Sequence, residues 1–183
     1  MQIRLLGREE YEITNRSLAF IQKNLYTRFH FIKKLNPKEL REKTVLDVGC
    51  GLSSLTKELR EKGVNAYSID MHDSKPPNKG THVRGFAEKM PFKNRLFDFV
   101  YSTWSLFSYI EDRDIKRNAL KEICRVLKPG GKLRMSIVNL RGIEKLLKET
   151  NIPMKITNHF KPKYNFNSIT LEKEHFVEIE KLK

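Results

Sequence analysis

Thr44-Val45-Leu46-Asp47-Val48-Gly49-Cys50-Gly51, residues 44–51, is a short apolar run broken by a Gly-x-Gly turn. Thr44 to Val48 reads as a buried strand. Ser53 or Ser54 can cap a following helix, Leu55 to Glu61, and Gly63 ends it. A second strand, Val64 to Ile69, closes on Asp70. Strand, turn, helix, strand is the repeating unit of a parallel sheet with right-handed crossovers and helices on both faces. Ligands of such sheets sit at the carboxyl ends of the strands, where the strand order reverses. Chemistry is therefore expected at the glycine turn.

The pattern continues toward the C-terminus. A Pro/Lys/Gly loop, Ser74 to Gly80, leads to a short strand, His82-Val83-Arg84, and Phe97 to Ser102 forms another. Asp112 or Asp114 can start a helix that runs to Leu127, with Ile115, Ala119, Ile123 and Val126 on one face. Lys128-Pro129-Gly130-Gly131 reads as a turn, Lys132 to Val138 as a strand and Gly142 to Glu149 as a short helix. Ile152–Ile156, Ser168–Lys173 and Phe176–Ile179 read as terminal strands, the last two suggesting a hairpin. Toward the N-terminus, Leu18, Ile21, Leu25, Phe29 and Ile32 make one apolar stripe over Tyr11–Leu35, and Asn36-Pro37 stops that helix.

One domain is expected over 1–183: an N-terminal helical cap (1–43), a cofactor-binding core (44–140) and C-terminal strands (141–183). The longest uncharged stretch, Phe99 to Ile110, is far short of the ~20 residues of a membrane span. The N-terminal ten residues lack the apolar core of a signal peptide. Cys50 and Cys124 make neither a disulfide framework nor a zinc site, so a cytoplasmic protein without a metal site is expected. The sequence sets no oligomeric state. The net charge is +14, and the excess is spread as +5 over 1–44, +2 over 45–100, +4 over 101–140 and +3 over 141–183. A diffuse positive field favours an anionic partner without specifying a nucleic-acid module. The clusters Lys33-Lys34 and Arg113…Lys116-Arg117 read as solvated helix faces.

Asp70 lies nineteen residues past Gly51, at the place where an acid accepts the hydroxyls of a ribose. A dinucleotide site would carry a third glycine, but Gly51 is followed by Leu52-Ser53-Ser54. Asp47, just before the turn, has the wrong sign for a pyrophosphate. It suits a ligand with a cationic amino group near the turn and a ribose beyond it, as in S-adenosylmethionine.

Val45 to Gly51 resembles the first motif of the class I S-adenosylmethionine-dependent methyltransferases. Three further blocks resemble the family in the right order: Asp70, Gly85-Phe86-Ala87-Glu88-Lys89-Met90-Pro91-Phe92, and Leu120 to Gly131. The similarity covers about residues 40–140, and the small type 11 subgroup is the nearest match. It implies a Rossmann-like α/β fold, mostly parallel, with helices on both faces and antiparallel C-terminal strands. It also implies that Asp47 holds the methionine amino group, that Gly49, Cys50 and Gly51 form the turn along which the cofactor runs, and that Asp70 takes the ribose hydroxyls. Met71 would pack on the adenine face, Phe86 and Ala87 would occupy the adenine edge, and Ser102 would lie near the methionine moiety. Relatives often carry an acid at position 86, where Phe86 can only pack, and histidines near 107 and 108, where none stands.

The implied reaction is methyl transfer, an in-line displacement in which the cofactor carries the reactive group and the protein supplies position and electrostatics. Ser102-Thr103-Trp104-Ser105 replaces the Pro-Pro-aromatic box of amino-directed nucleic-acid methyltransferases. No catalytic base is assigned, and Cys50 and Cys124 read as structural. Trp104, Phe107 and Tyr109 are either core or an aromatic wall for a flat or cationic acceptor. Tyr11, Tyr26 and His30 are candidates to close over the cofactor, and His159 and His175 read as surface residues. A small-molecule acceptor is favoured, with RNA, especially tRNA, as the alternative. A catalytically silent S-adenosylmethionine-binding protein and a nicotinamide-dependent oxidoreductase are the rivals.

Overall fold

The computed structural model describes residues 2–4, 10–12, 37–51, 54–72, 81–103, 105–137, 139–160 and 175–183. They fall into two compact units, Met1–Leu40 and Arg41–Lys183. In the first, β1 (Gln2–Arg4) and β2 (Glu10–Glu12) pair antiparallel, with Ile3 opposite Tyr11. Tyr11 thus lies in a strand and not at the head of a helix. The alternation of Gln-Ile-Arg and Glu-Tyr-Glu has period two, which a stripe counted from Leu18 onward does not reveal. A helical turn, α1 (Pro37–Leu40), ends this unit, and residues 13–36 lie outside the described residues.

The second unit is built on a seven-stranded sheet. Its strands are β3 (Thr44–Val48), β4 (Asn65–Asp70), β5 (His82–Arg84), β6 (Phe97–Ser102), β7 (Leu127–Ile137), β8 (Met154–Phe160) and β9 (His175–Lys181). The order is β5-β4-β3-β6-β7-β9-β8, and only β9 runs against the rest. The chain steps outward from β3 to β4 and β5, then returns to the other side of β3 with β6. The switch point therefore lies between β3 and β6. Val45, Leu46 and Val48 are buried because a central parallel strand is covered on both faces.

The helices are α2 (Ser54–Glu61), α3 (Leu106–Tyr109), α4 (Arg113–Val126) and α5 (Leu140–Thr150). In α2, Leu55 and Leu59 are buried one turn apart. Gly63, at φ +78°, turns the chain out, and the Val64 amide donates back to Leu59 O. Val64 is thereby spent on ending the helix, and β4 starts one residue later than the apolar run predicts. Asp112 is the N-cap of α4, accepting from the Asp114 and Ile115 amides. At its other end Lys181 Nζ donates to Cys124 O (2.7 Å) and Leu127 O (2.8 Å), so a cation on β9 satisfies orphan carbonyls of α4.

Two further boundaries depart from the sequence reading. Lys128–Gly131 lies inside β7 and does not separate it from the helix. The register jumps from Phe97↔Leu127 to Phe99↔Lys132, so this stretch bulges out of the ladder. A Cβ at Gly131 would stand 2.9 Å from Lys128 O, which explains the glycine. The strand expected at Ile152–Ile156 begins at Met154, because left-handed Asn151 ends α5 and Pro153 has no N–H to donate. Its partner is β9; the stretch Ser168–Lys173 lies outside the described residues. Among the described residues no helix is long and apolar enough to cross a membrane.

Candidate active site

The carboxyl ends of β3, β4 and β6 bring Asp47, the glycine turn, Asp70 and Ser102 to one edge of the sheet. The turn is hooked to β4: the Gly49 amide donates to Ile69 O at 2.9 Å. Gly49 has φ +70° and Gly51 φ +54°, a region that L side chains rarely enter. The two differ in what surrounds them. A Cβ on Gly49 would meet Ser105 Cβ at 2.5 Å, whereas a Cβ on Gly51 would have open space.

Asp70 closes β4 with both carboxylate oxygens engaged. Gly51 N–H donates to Oδ2 at 2.8 Å and His72 N–H to Oδ1 at 2.9 Å. A carboxylate offers about four lone-pair sites, so each oxygen keeps capacity for a further donor. Met71 is half-buried beside it. Asp47 is buried at 3 % exposure one residue before Val48.

Cys50 is 1 % exposed, and its Sγ stands 3.6 Å from His82 Nδ1, which also lies 3.1 Å from Ser68 Oγ. Its thiol is part of the packing. Cys124 is buried on α4, where burial raises its thiol pKa despite the nearby Lys181 ammonium. Cys124 is therefore not an activated nucleophile.

Across the switch point, Ser102 is buried at the end of β6, with its hydroxyl 2.9 Å from that of Ser105. Ser105 Oγ donates to Val48 O at 3.0 Å. Each hydroxyl has one proton, so Ser102 is the donor in the serine pair. This chain of hydroxyls fixes the end of β3 from the opposite side of the crevice. Sequence reading passed over Ser105, and only the missing Cβ at Gly49 hints at a close neighbour. Phe107 is 6 % exposed within the main hydrophobic cluster, so it is core and not an acceptor wall. Trp104, Tyr26, His30 and the side chains of Tyr11 and Tyr109 lie outside the described residues.

The third part of the site is the segment after β5. Gly85 N–H donates to Asp70 O at 2.9 Å, holding residues 85–92 against β4. Phe86 is 55 % exposed, whereas Ala87 packs against the core. The segment is clamped from behind by an ion pair on α4. Glu122 Oε2 accepts the Met90 amide at 2.8 Å. Arg125 donates to Met90 O (2.9 Å), Phe92 O (2.7 Å) and Asn94 Oδ1 (2.8 Å) while paired with Glu122. The Arg125 hydrogen bond holds the Glu122 carboxyl below its usual range in spite of burial. Both residues stand in the resembling block Leu120–Gly131, but nothing in a single sequence tells that they read the main chain of the other block.

Comparison with known proteins agrees with this arrangement. Residues 46–135 match the family model described as "Methyltransferase domain". The chain is 34% identical over 116 residues to the sterol 4-C-methyltransferase of Caenorhabditis elegans, covering 56% of this chain and 33% of that protein. It is 28% identical over 143 residues to the ubiquinone/menaquinone biosynthesis C-methyltransferase of Wigglesworthia glossinidia brevipalpis, covering 68% and 55%. It therefore spans between a third and just over half the length of these relatives. Among solved structures, the N-methyltransferase NodS of Bradyrhizobium japonicum superposes with a TM-score of 0.66 at 16% identity, covering 86% of this chain and 96% of that one, and shares the fold. The sheet order, the glycine turn with its acid on the neighbouring strand, and the matched blocks place the chain in the class I S-adenosylmethionine-dependent methyltransferase family, whose cofactor is S-adenosylmethionine.

Proposed function

We propose that the chain transfers a methyl group from S-adenosylmethionine to a small-molecule acceptor. The observation that carries this reading is Asp70, a carboxylate oriented by the Gly51 and His72 amides beside an open glycine at the switch point. Open space over Gly51, spare acceptor capacity on Asp70 and the buried acid Asp47 fit this cofactor. Asp70 takes the ribose hydroxyls and Asp47 the methionine amino group. Gly49, Cys50 and Gly51 offer main chain, since the Cys50 thiol is spent in packing. Met71 covers the adenine face, Phe86 and Ala87 its edge, and Ser102 borders the methionine moiety. Exposed Phe86 gains a partner when the adenine arrives.

When bound, the cofactor supplies an electrophilic methyl on a sulfonium. This chain's residues hold the ligand and exclude water around it, and no described side chain is assigned as a base. A small acceptor is supported by the surface charge as well. Arg113 pairs with Glu149 and Arg117 with Asp114, so part of this basic cluster is neutralised within the protein. The two curated relatives named above carry sterol and quinone C-methyltransferase names, which supports an apolar carbon acceptor.

The test is methyl transfer from labelled cofactor into a fractionated cell extract. Label in the organic-soluble, small-molecule fraction supports the reading, and label in RNA assigns the alternative. No transfer despite binding of S-adenosylhomocysteine would make the chain a cofactor-binding protein without activity.

A further inference from the structure

Two histidines meet at the end of the sheet farthest from β5. In the ladder between β8 and β9, Phe160 pairs with Phe176 and His159 with Val177, which brings His159 and His175 side by side. His159 is the penultimate residue of β8 and His175 the first of β9. His175 also pairs with Ile137 at the carboxyl end of β7, so the pair lies on the ligand-bearing edge. His159 is exposed and His175 half-buried.

The contact is specific. His159 Nε2 stands 2.7 Å from His175 Nδ1. The ring centres are 5.0 Å apart with 28° between the planes. That separation is the nitrogen contact plus one ring radius at each end, so the rings meet edge to edge and the two nitrogens face each other. Only one proton fits between them, and one imidazole presents a lone pair to the other's N–H. Facing imidazole nitrogens are also the preferred donors of zinc, nickel and copper ions. Metal–nitrogen bonds of about 2.0–2.1 Å at a tetrahedral centre place two ligand nitrogens ~3.4 Å apart. Rotation of the exposed His159 side chain supplies that opening.

We propose that His159 and His175 form a two-imidazole site for a divalent transition-metal ion of borderline softness. The ion replaces the shared proton, which is released to solvent, and water fills its remaining positions. Bound there, it links the end of β8 to the start of β9. The site uses no residue of the cofactor crevice, so it stands or falls independently of the methyltransferase reading.

The test is calorimetric titration of the full, chelator-treated chain with zinc chloride at neutral pH. One ion per chain is expected, with uptake weakened at least about tenfold by either His159→Ala or His175→Ala. Unfolding curves of both variants check that the sheet is intact. Absence of stoichiometric uptake, or uptake that survives both substitutions, overturns the proposal.

Discussion

Ser105 touches the main chain at the end of β3, its hydroxyl donating to Val48 O at 3.0 Å while its Cβ occupies the space a side chain on Gly49 would need. The crevice is thus closed to within one atom at Gly49 and open at Gly51. Both glycines have positive φ, so alanine at either costs about 1 kcal/mol or more in backbone strain. Gly49→Ala carries the Ser105 clash in addition. It should be the more destabilising of the two in urea unfolding, and Gly49→Ala/Ser105→Gly should recover part of the difference. Equal costs would mean that Ser105 does not hold the turn.

Asp70→Ala should weaken S-adenosylhomocysteine binding by tens-fold or more, because hydrogen bonds to a charged group contribute ~1.5–3 kcal/mol each. The Gly51 and His72 amides lose their acceptor as well, so Asp70→Asn should retain more affinity than Asp70→Ala. Calorimetry on the three proteins decides it. An unchanged dissociation constant in a folded Asp70→Ala would place the ribose elsewhere.

Arg125→Ala removes donors from Met90 O, Phe92 O and Asn94 and leaves the Glu122 carboxylate unpaired. A loss of about 2 kcal/mol in unfolding free energy is expected, moderated by partial exposure of the pair. Lysine should not rescue it, since a point charge cannot reach three oxygens in one plane. Protection of the 86–94 amides in hydrogen exchange should fall first.

Acid should unfold the protein through three carboxylates. Burial would raise Asp98, but the Lys128 ammonium, the Thr44 amide and Lys43 hold it below its usual value. Hydrogen bonding from Arg125 lowers Glu122. Burial would raise Glu178, but Lys132 and Arg134 hold it low. Folded pKa values below the unfolded ones mean that the stabilisation is complete above the ordinary carboxylate range, about pH 4 to 5. It is lost as pH falls through the lowered values. Glu178→Gln should flatten the acid limb of the stability curve; an unchanged limb would show that this cluster does not couple to unfolding.

If RNA were the acceptor, affinity should fall with salt at a log–log slope of roughly −0.7 per neutralised phosphate. Replacing Lys33-Lys34 or Arg113/Lys116/Arg117 should then flatten that slope and leave cofactor affinity alone. For a small acceptor the same changes should do little, and Trp104→Ala or Tyr109→Ala should slow turnover.

The glycine turn, Asp70 and the succession of strands β3, β4, β5 and β6 along the chain were legible because each is written locally: an apolar run, a Gly-x-Gly, an acid at the end of the next run. Ser105, Glu122 and Arg125 were not, because their partners lie 57, 32 and 35 residues away and are main-chain atoms without a sequence signature. Phe107 illustrates a reading that the sequence left open. An aromatic after a strand reads equally as wall or core, and only packing against the main hydrophobic cluster separates the two.

The reversed strand carries a consequence for how the chain is assembled. β9 lies between β7 and β8, so the strand made later is the one that joins the earlier two. A nascent chain that has just exposed β8 offers it no neighbour in the growing sheet, and that edge waits in solvent until β9 inserts. The same insertion delivers Lys181 to the end of α4. Completion of the sheet and neutralisation of the helix terminus thereby depend on the same strand, and a chain truncated before residue 175 would carry both defects at once.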